Sequence, residues 1–215
     1  EIMHALQTHR VVQPFMHALD LGPNGEVLTV HQSFFSCYEL GMEWKLEKTK
    51  DAQGYPCYYQ KSGRGGIANL WHPGFCLAWR RATLDKLQLL EVGILGSADH
   101  HMCGALIGKA ALTLPNAINA TYREQVLRWQ ERADRAVGRD VGFVGGVISH
   151  FWHGKKAHRR YVQRWQVLVK SNFNPLEDVY KNAQGVLEVR HDRWQLRDGI
   201  RTYLKQRNED SIDLD

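Results

Sequence analysis

The sequence predicts an α/β fold with a mixed sheet and helices in its C-terminal part. Three observations lead to this class. Predicted strands and helices alternate irregularly, residues 121–137 form an amphipathic helix, and residues 141–149 form a glycine-rich apolar strand. Regular alternation would favour a doubly wound parallel sheet, whereas the irregular order favours a mixed one.

The N-terminal third is predicted to be mainly β structure. The predicted elements are the end of a helix at residues 2–7, a strand at 10–16, a turn at 21–26, a strand at 26–30, a strand running through Leu70 and Trp71, and a strand at 74–79. The turn is predicted from Pro23 and the Asn24-Gly25 pair, which are typical of tight turns. Residues 36–66 have no regular period, and so long a stretch in a compact domain is often a functional loop.

The remaining elements are predicted to be mostly helical. They are helices at 82–90, 99–109, 121–137, 157–170 and 194–207, a strand at 141–149 ending at His150, an extended piece at 186–189 and a loose tail at 208–215. The pair Thr121 and Glu124 predicts a capping box, Gly138 predicts the C-terminal end of that helix, and Asn174-Pro175 predicts another helix start. The predicted buried faces carry Tyr122, Val126, Trp129, Ala133 and Val137 in the helix at 121–137, Tyr161, Trp165 and Leu168 in the helix at 157–170, and Leu196, Ile200, Tyr203 and Leu204 in the last helix.

The composition is that of an ordinary globular protein. Hydrophobic residues make up 43% and charged residues 24% of the 215 residues, which excludes disordered, collagen-like and coiled-coil classes. No stretch approaches the roughly 20 apolar residues that span a bilayer, and a signal-peptide pattern is absent. The sequence therefore predicts a soluble, cytoplasmic protein. Its four scattered cysteines, Cys37, Cys57, Cys76 and Cys103, predict reduced, mostly buried thiols.

A local excess of positive charge is the first candidate binding feature. The net charge is +5 and the pI is about 9.1, and residues 154–170 contain six basic residues and no acid: Lys155, Lys156, Arg159, Arg160, Arg164 and Lys170. This run could bind the phosphates of a nucleotide or of a nucleic acid. Alternatively, it is a solvated helix face whose aromatic residues point into the core. Lys155 and Lys156 lie beside two histidines and are the favoured contacts for a diphosphate.

The segment Gly96-Ser-Ala-Asp-His-His101 is the second candidate feature. Asp99 lies where a loop leads into a predicted helix, and the helix dipole and free amides there stabilise a charged carboxylate. Asp99 could serve as a general base or orient a substrate hydroxyl. The alternative is a simple helix cap. His100, next to it, is a candidate substrate-binding residue.

The segment His150-Phe-Trp-His-Gly154 is the third candidate feature. His150 follows an apolar strand, and an imidazole at a strand end can bind a divalent ion at neutral pH. His153 could share that ion only if the intervening turn folds back. The alternative is that one histidine bonds within the turn and the other is solvated.

Trp71 to Phe75 form the fourth candidate feature. Trp71 could offer a flat surface for stacking a sugar ring, and an ordinary buried tryptophan is the alternative. Glycine-rich phosphate motifs and a GxSxG elbow are absent from the sequence.

The order of these segments resembles the C-terminal half of a GT-A glycosyltransferase, a Rossmann-like fold. The resemblance is carried by the stretch from Asn69 to Leu87 (NLWHPGFCLAWRRATLDKL), by Ile94 to Met102 (ILGSADHHM) and by Ile148 to Gly154 (ISHFWHG). It covers most of residues 10–207 and is nearest to glycosyltransferase-like proteins of phages and bacteria. It implies that residues 1–153 are the C-terminal part of a GT-A catalytic domain and that 154–215 are a helical extension.

The resemblance also implies roles for individual residues. Asp99 resembles the catalytic carboxylate that deprotonates or orients the acceptor hydroxyl, and His150, with His153 as the next choice, resembles the histidine that completes a Mn²⁺ or Mg²⁺ site. Trp71 and Gly74 would shape the acceptor pocket. Lys155 would offset the charge of the departing diphosphate.

The same resemblance implies that an upstream nucleotide-binding half is missing, together with its Asp-x-Asp motif, so that this chain lacks most of its donor site. Asp213-Leu-Asp215 has the letters of that motif but lies in the tail. The expected partners are a nucleotide-sugar donor and an acceptor that is either a polysaccharide or a modified base in phage DNA. The alternative function is a non-catalytic nucleic-acid-binding module that uses the basic residues of 154–170.

Overall fold

The computed structural model describes residues 1–42, 54, 55, 60–64 and 67–207. The helices are α1 (Ile2–Thr8), α2 (Phe34–Glu39), α3 (Arg81–Leu87), α4 (Ala98–Leu106), α5 (Ala120–Ala136), α6 (Gln163–Lys170) and α7 (Trp194–Lys205). The strands are β1 (Val11–Gln13), β2 (His17–Leu21), β3 (Val27–Ser33), β4 (Gln60–Arg64), β5 (Ile67–His72), β6 (Ala78–Trp79), β7 (Val141–Phe143), β8 (Val147–His150), β9 (Val179–Lys181) and β10 (Leu187–Val189). Two 3₁₀ helices span Ala110–Thr113 and Lys156–Arg159. The predicted α/β class is confirmed.

The main sheet has five strands in the order β4-β5-β3-β2-β8 and is mixed, as predicted. β2 runs antiparallel to β3 and parallel to β8, and β3 runs parallel to β5. The register pairs Asp20 of β2 with His150 of β8, and Ala18 with His31 of β3. Since alternate residues of a strand share a face, Asp20, His31 and His150 lie together on one side of this sheet.

A smaller sheet of order β6-β1-β7 continues into the main sheet, because the strands predicted at 10–16 and 141–149 are each split in two. Pro14 has no amide hydrogen to donate to a ladder, and the chain turns there with a hydrogen bond from the Phe15 amide to the Gln13 carbonyl. The partner strand breaks at the same level around Gly145-Gly146. β1 pairs with β7 before the break, and β2 pairs with β8 after it.

The long helix α5 is the centre of the hydrophobic core. The predicted inner face is confirmed, with Tyr122, Val126, Trp129, Ala133 and Val137 all buried. The predicted capping box is wrong, because the helix begins two residues earlier. Its cap is Asn119, whose side-chain oxygen accepts hydrogen bonds from the Thr121 and Tyr122 amides. The same core contains residues of the C-terminal part, including Trp165, Leu168 and Phe173.

The C-terminal part differs from its prediction in three places. The helix predicted at 157–170 is a 3₁₀ turn and then α6, separated at Arg160, which has a left-handed backbone (φ 47°). Residues 174–178 form a turn that leads into the β9–β10 hairpin, so no helix starts at Asn174. Leu204 in α7 is exposed, whereas Leu196 and Tyr203 are buried as predicted. The predicted tail, 208–215, lies outside the described residues.

The predicted excursion at 36–66 is described only in part. Its first residues belong to α2, which Ser33 caps by accepting a hydrogen bond from the Ser36 amide, and residues 60–64 form β4. Cys37 and Cys103 are buried thiols and Cys76 is an exposed one, while Cys57 lies outside the described residues. Within the described ranges, no helix is long and apolar enough to cross a membrane.

Candidate functional site

A cavity of about 190 Å³ opens on the face of the main sheet that carries Asp20, His31 and His150. Its lining is Asp20, His31, His72, Phe75, His150, His153, Arg159 and Tyr161. Strands β2, β3, β5 and β8 supply four of these residues, and the segments after β5 and β8 supply the others. The cavity therefore brings together one acid, four imidazoles and one guanidinium.

The Asp20 carboxylate links the imidazoles of two neighbouring strands. Its Oδ2 lies 2.8 Å from His31 Nε2, and its Oδ1 lies 2.9 Å from His150 Nδ1. Asp20 is only 5% exposed. A buried carboxylate is stable only where hydrogen bonds or charges replace its lost water, and here two imidazole nitrogens lie at hydrogen-bond distance from it.

The turn after β8 folds back, as a site shared by both histidines requires. Gly154 adopts a left-handed backbone (φ 85°), which glycine accommodates without strain, and the His153 ring lies at 82° to the His150 ring. The two Nε2 atoms are 3.1 Å apart. The bond from Zn²⁺ to an imidazole nitrogen is about 2.0–2.1 Å long, so two histidine ligands of one such ion lie roughly 2.9–3.4 Å apart. The separation of His150 and His153 falls in this range, and it is equally the length of a hydrogen bond between the two rings.

Further ligands for such an ion are not assembled from protein side chains in the described part of the chain. No group of three or more His, Cys, Asp or Glu side chains there is arranged to hold a metal ion. A metal at the histidine pair would complete its coordination with water or with oxygen atoms of a bound ligand, which is the pattern of an open site.

A stack of two rings connects the histidine pair to the region of Asp99. Phe75 is parallel to His72, with ring centroids 4.1 Å apart, and lies 4.6 Å from the His150 ring. Gly74 precedes Phe75, and a Cβ atom at this position would lie 2.9 Å from Asp99 Oδ2 and 3.2 Å from His72 Cε1. Only glycine lets the chain pass this closely between the two side chains.

Asp99 is the second residue of α4 and not its cap. Ser97 occupies the cap position, and Asp99 Oδ1 accepts a hydrogen bond of 2.8 Å from the His100 amide. Burial raises the pKa of the Asp99 carboxyl above its ordinary value, and the His100 amide and the Arg164 charge offset only part of this rise. A raised pKa makes a carboxylate a better proton acceptor near neutral pH.

Arg159 supplies the positive charge of the cavity. It is 8% exposed, and its Nη1 donates a hydrogen bond of 3.3 Å to the Tyr161 hydroxyl. Its Nε is buried without a hydrogen-bond partner among the described residues. A guanidinium with spare donors at a cavity wall is suited to an anion, phosphate in particular.

Comparison of this chain with protein-family models, curated proteins and solved structures gives no match. The functional assignment therefore depends on the motifs and on the geometry of this site.

The structure places the predicted catalytic residue Asp99 and all four predicted substrate-binding residues outside the cavity lining: Trp71, Gly74, His100 and Lys155. Trp71 is 1% exposed and packs edge-on against Phe34, so its ring offers no stacking surface and the buried alternative is the correct one. His100 is 2% exposed and equally internal. Burial and the Arg164 charge lower its pKa to about 3, so it stays neutral in the core. Lys155 is half-buried and does not line the cavity, a position that Arg159 takes instead.

Three residues of the cavity were not predicted as site residues: Asp20, His31 and His72. Tyr161 was predicted to be buried in the core, and Arg159 was one of six basic residues considered for phosphate binding. Asp20 and His31 are titratable residues in mostly apolar or β-branched segments, His17-Ala-Leu-Asp-Leu21 and Val27-Leu-Thr-Val-His31. A buried charged residue in such a strand requires a partner, and this was the available signal. That the partners are each other depends on strand register, which the sequence does not display.

Proposed function

We propose that this chain carries the acceptor-side carboxylate and the histidine metal ligands of a metal-dependent glycosyltransferase of the GT-A class. The supporting observation is a series of contacts from Asp99 to the histidine pair. Asp99 and His72 both lie against Gly74, and the His72–Phe75 stack reaches the His150 ring, although Asp99 and Gly74 are not themselves among the residues that line the cavity. Transfer from a nucleotide sugar needs a group that takes the acceptor proton and positive charge at the departing diphosphate. The site offers both.

Asp99 is the group that accepts the proton. Its partly buried carboxylate is held at the start of α4 by the His100 amide, which binds Oδ1 and leaves Oδ2 beside Gly74. An acceptor hydroxyl that comes within hydrogen-bond distance of Oδ2 would donate its hydrogen to it. Attack of that hydroxyl oxygen on the anomeric carbon then breaks the bond from sugar to diphosphate, and the proton remains on Asp99.

Arg159 and the histidine pair are placed for the diphosphate. The Arg159 guanidinium donates hydrogen bonds to phosphate oxygens, and the cavity that it shares with His150 and His153 limits the access of water. His150 and His153 would hold Mn²⁺ or Mg²⁺, and such an ion neutralises charge on the leaving diphosphate.

The acceptor is proposed to be a polysaccharide or a hydroxymethylated base in DNA. Non-catalytic nucleic-acid binding by residues 154–170 is a weaker proposal, because two of the six basic side chains, Arg159 and Arg164, are buried. Fewer charges are then left for phosphate contacts on the surface.

Thermal denaturation with Mn²⁺ and nucleoside diphosphates tests the proposal. The full chain is heated alone, with MnCl₂, and with MnCl₂ plus UDP, GDP, ADP or dTDP. A ligand at 100 times its Kd adds about 2.7 kcal/mol, equivalent to roughly 5–10 °C in Tm for a chain of this size. One of the diphosphates is expected to produce such a shift, and His150→Ala is expected to remove it.

His191→Ala is the matched control, since His191 is exposed and distant from the cavity lining. This variant is expected to keep the full shift. A shift that survives His150→Ala contradicts the metal assignment. Binding to DNA or RNA that ignores Mn²⁺ and weakens steeply with salt would instead indicate the nucleic-acid module.

A further inference from the structure

We propose that Asp20 is a positioning residue that fixes the tautomer of His150, so that the Nε2 lone pair of His150 faces the cavity. The inference deepens the proposed function, and it rests on that function only for the role of His150 as a metal ligand. The tautomer itself follows from hydrogen bonds within the chain.

The chemistry of the carboxylate determines where the protons lie. An ionised carboxylate only accepts hydrogen bonds, so the His150 Nδ1 atom, 2.9 Å from Asp20 Oδ1, carries its hydrogen. A neutral imidazole has one N–H, and therefore His150 Nε2 bears the lone pair. In the metal-free chain, His153 Nε2, 3.1 Å away, is then the donor of that contact. Binding of an ion by both Nε2 atoms requires His153 to carry its hydrogen on Nδ1 instead.

The same argument assigns the tautomer of His31, the second imidazole that contacts Asp20. His31 Nε2 donates to Asp20 Oδ2 at 2.8 Å, which leaves His31 Nδ1 as an acceptor. The Asn69 side-chain nitrogen, a donor, lies 3.3 Å from this Nδ1. The contacts of His31 are thus consistent with an ionised Asp20 that accepts from both strands.

The arrangement restrains His150 in direction as well as in tautomer. Asp20 and His150 are directly paired in the parallel β2–β8 ladder, and His31 holds the carboxylate from the other side. A histidine that ligates through Nε2 is commonly oriented by a carboxylate on Nδ1, and loss of such a partner weakens metal affinity about 10–100-fold. Asp20 occupies that place for His150.

Asparagine at position 20 disturbs this arrangement with almost no change of volume. Its amide offers one oxygen and one NH₂ group in place of two acceptors. One of the two histidines then faces a donor and must present a lone pair. In Asp20→Asn, the Nε2–H tautomer of His150 is therefore expected to become populated.

The test is ¹⁵N NMR of histidine-labelled, metal-free protein at pH 8.5, with the His150 signals identified by their loss in His150→Ala. Wild-type His150 is expected to be the Nδ1–H tautomer, and Asp20→Asn is expected to shift it toward Nε2–H. The Mn²⁺ affinity of the variant, measured by EPR titration, is expected to fall about 10–100-fold. Asp140→Asn is the control. Asp140 also pairs with a distant histidine, His9, but both side chains are about one-third exposed, so this substitution should alter neither the His150 tautomer nor the Mn²⁺ affinity.

The outcomes separate this inference from the proposed function. A wild-type His150 that is mainly Nε2–H overturns the role of Asp20, and this result does not require the variant to fold. Unchanged tautomers of both His31 and His150 in folded Asp20→Asn also overturn it. The Nδ1–H tautomer in a wild-type protein that does not bind Mn²⁺ supports the role of Asp20 and contradicts the metal site.

Discussion

Asp99→Asn is expected to stabilise the chain at pH 7.5 and to slow sugar transfer strongly. Burial raises the pKa of Asp99 from its ordinary 3.8, so the folded chain holds this proton more tightly than the unfolded chain does. The free energy of unfolding therefore falls as the pH rises from the pKa of Asp99 in the unfolded chain to its pKa in the folded chain. Above the folded-state pKa, the ionised, buried carboxylate destabilises the chain by the full amount. Asparagine removes the charge and retains an oxygen for the His100 amide.

The expected gain is about 2–4 °C in Tm at pH 7.5, which corresponds to ~1 kcal/mol for a chain of this size. Below pH 3.8 the carboxyl is protonated in both states, so the difference between variant and wild type should vanish there. Transfer to the acceptor should fall about 10²–10⁴-fold, the usual contribution of a general base. Measurements of Tm across pH check the expected stabilisation, and a transfer assay on the full chain checks the expected loss of activity.

Asp192→Asn is the matched control for this experiment. Asp192 is exposed in the loop before α7, and its replacement should change neither Tm nor transfer. If Asp99→Asn instead lowers Tm at pH 7.5 and leaves transfer intact, Asp99 is a structural residue of the helix start and the proposed base is wrong.

Arg159→Gln is expected to weaken the binding of a nucleoside diphosphate in the presence of Mn²⁺ about 10–100-fold. A hydrogen bond to a charged group contributes about 1.5–3 kcal/mol, and 1.4 kcal/mol corresponds to a tenfold change in Kd. The guanidinium lines the cavity and has a buried Nε that no described residue satisfies. Isothermal titration calorimetry measures the Kd.

Arg160→Gln is the control, because it removes the same charge at the next position in the sequence. Arg160 lines a different groove, between α6 and α7, so its loss should leave the Kd within about twofold, the scale of a surface change. Equal weakening in both variants would mean that general positive charge, and not the Arg159 contact, determines affinity.

The elements that the sequence predicted well are those governed by local periodicity. α5 and α7 carry apolar residues at helical spacing, and most of these face the core. The division of residues 10–21 and 141–150 between two sheets was missed, because it depends on pairing over about 130 residues of chain. The cap at Asn119 was missed because Thr121 and Glu124 offered a competing local pattern.

The candidate site shows the same division. His150 and His153 are close in sequence, and the turn between them folds back so that their Nε2 atoms are 3.1 Å apart; their binding of a metal stays a prediction. The carboxylate that orients His150 lies 130 positions away and is found only from the register of β2 and β8. Trp71 was misplaced because an aromatic residue beside Pro and Gly looks the same in sequence whether it faces a pocket or the core.

Whether His150 and His153 hold a metal ion beside Arg159 can be tested by anomalous diffraction from crystals of the full chain grown with Mn²⁺ and a nucleoside diphosphate. We expect a manganese peak bonded to Nε2 of both His150 and His153, with phosphate oxygens of the nucleotide on the Arg159 side. A peak bonded to neither histidine, or a nucleotide bound away from the cavity, would contradict it.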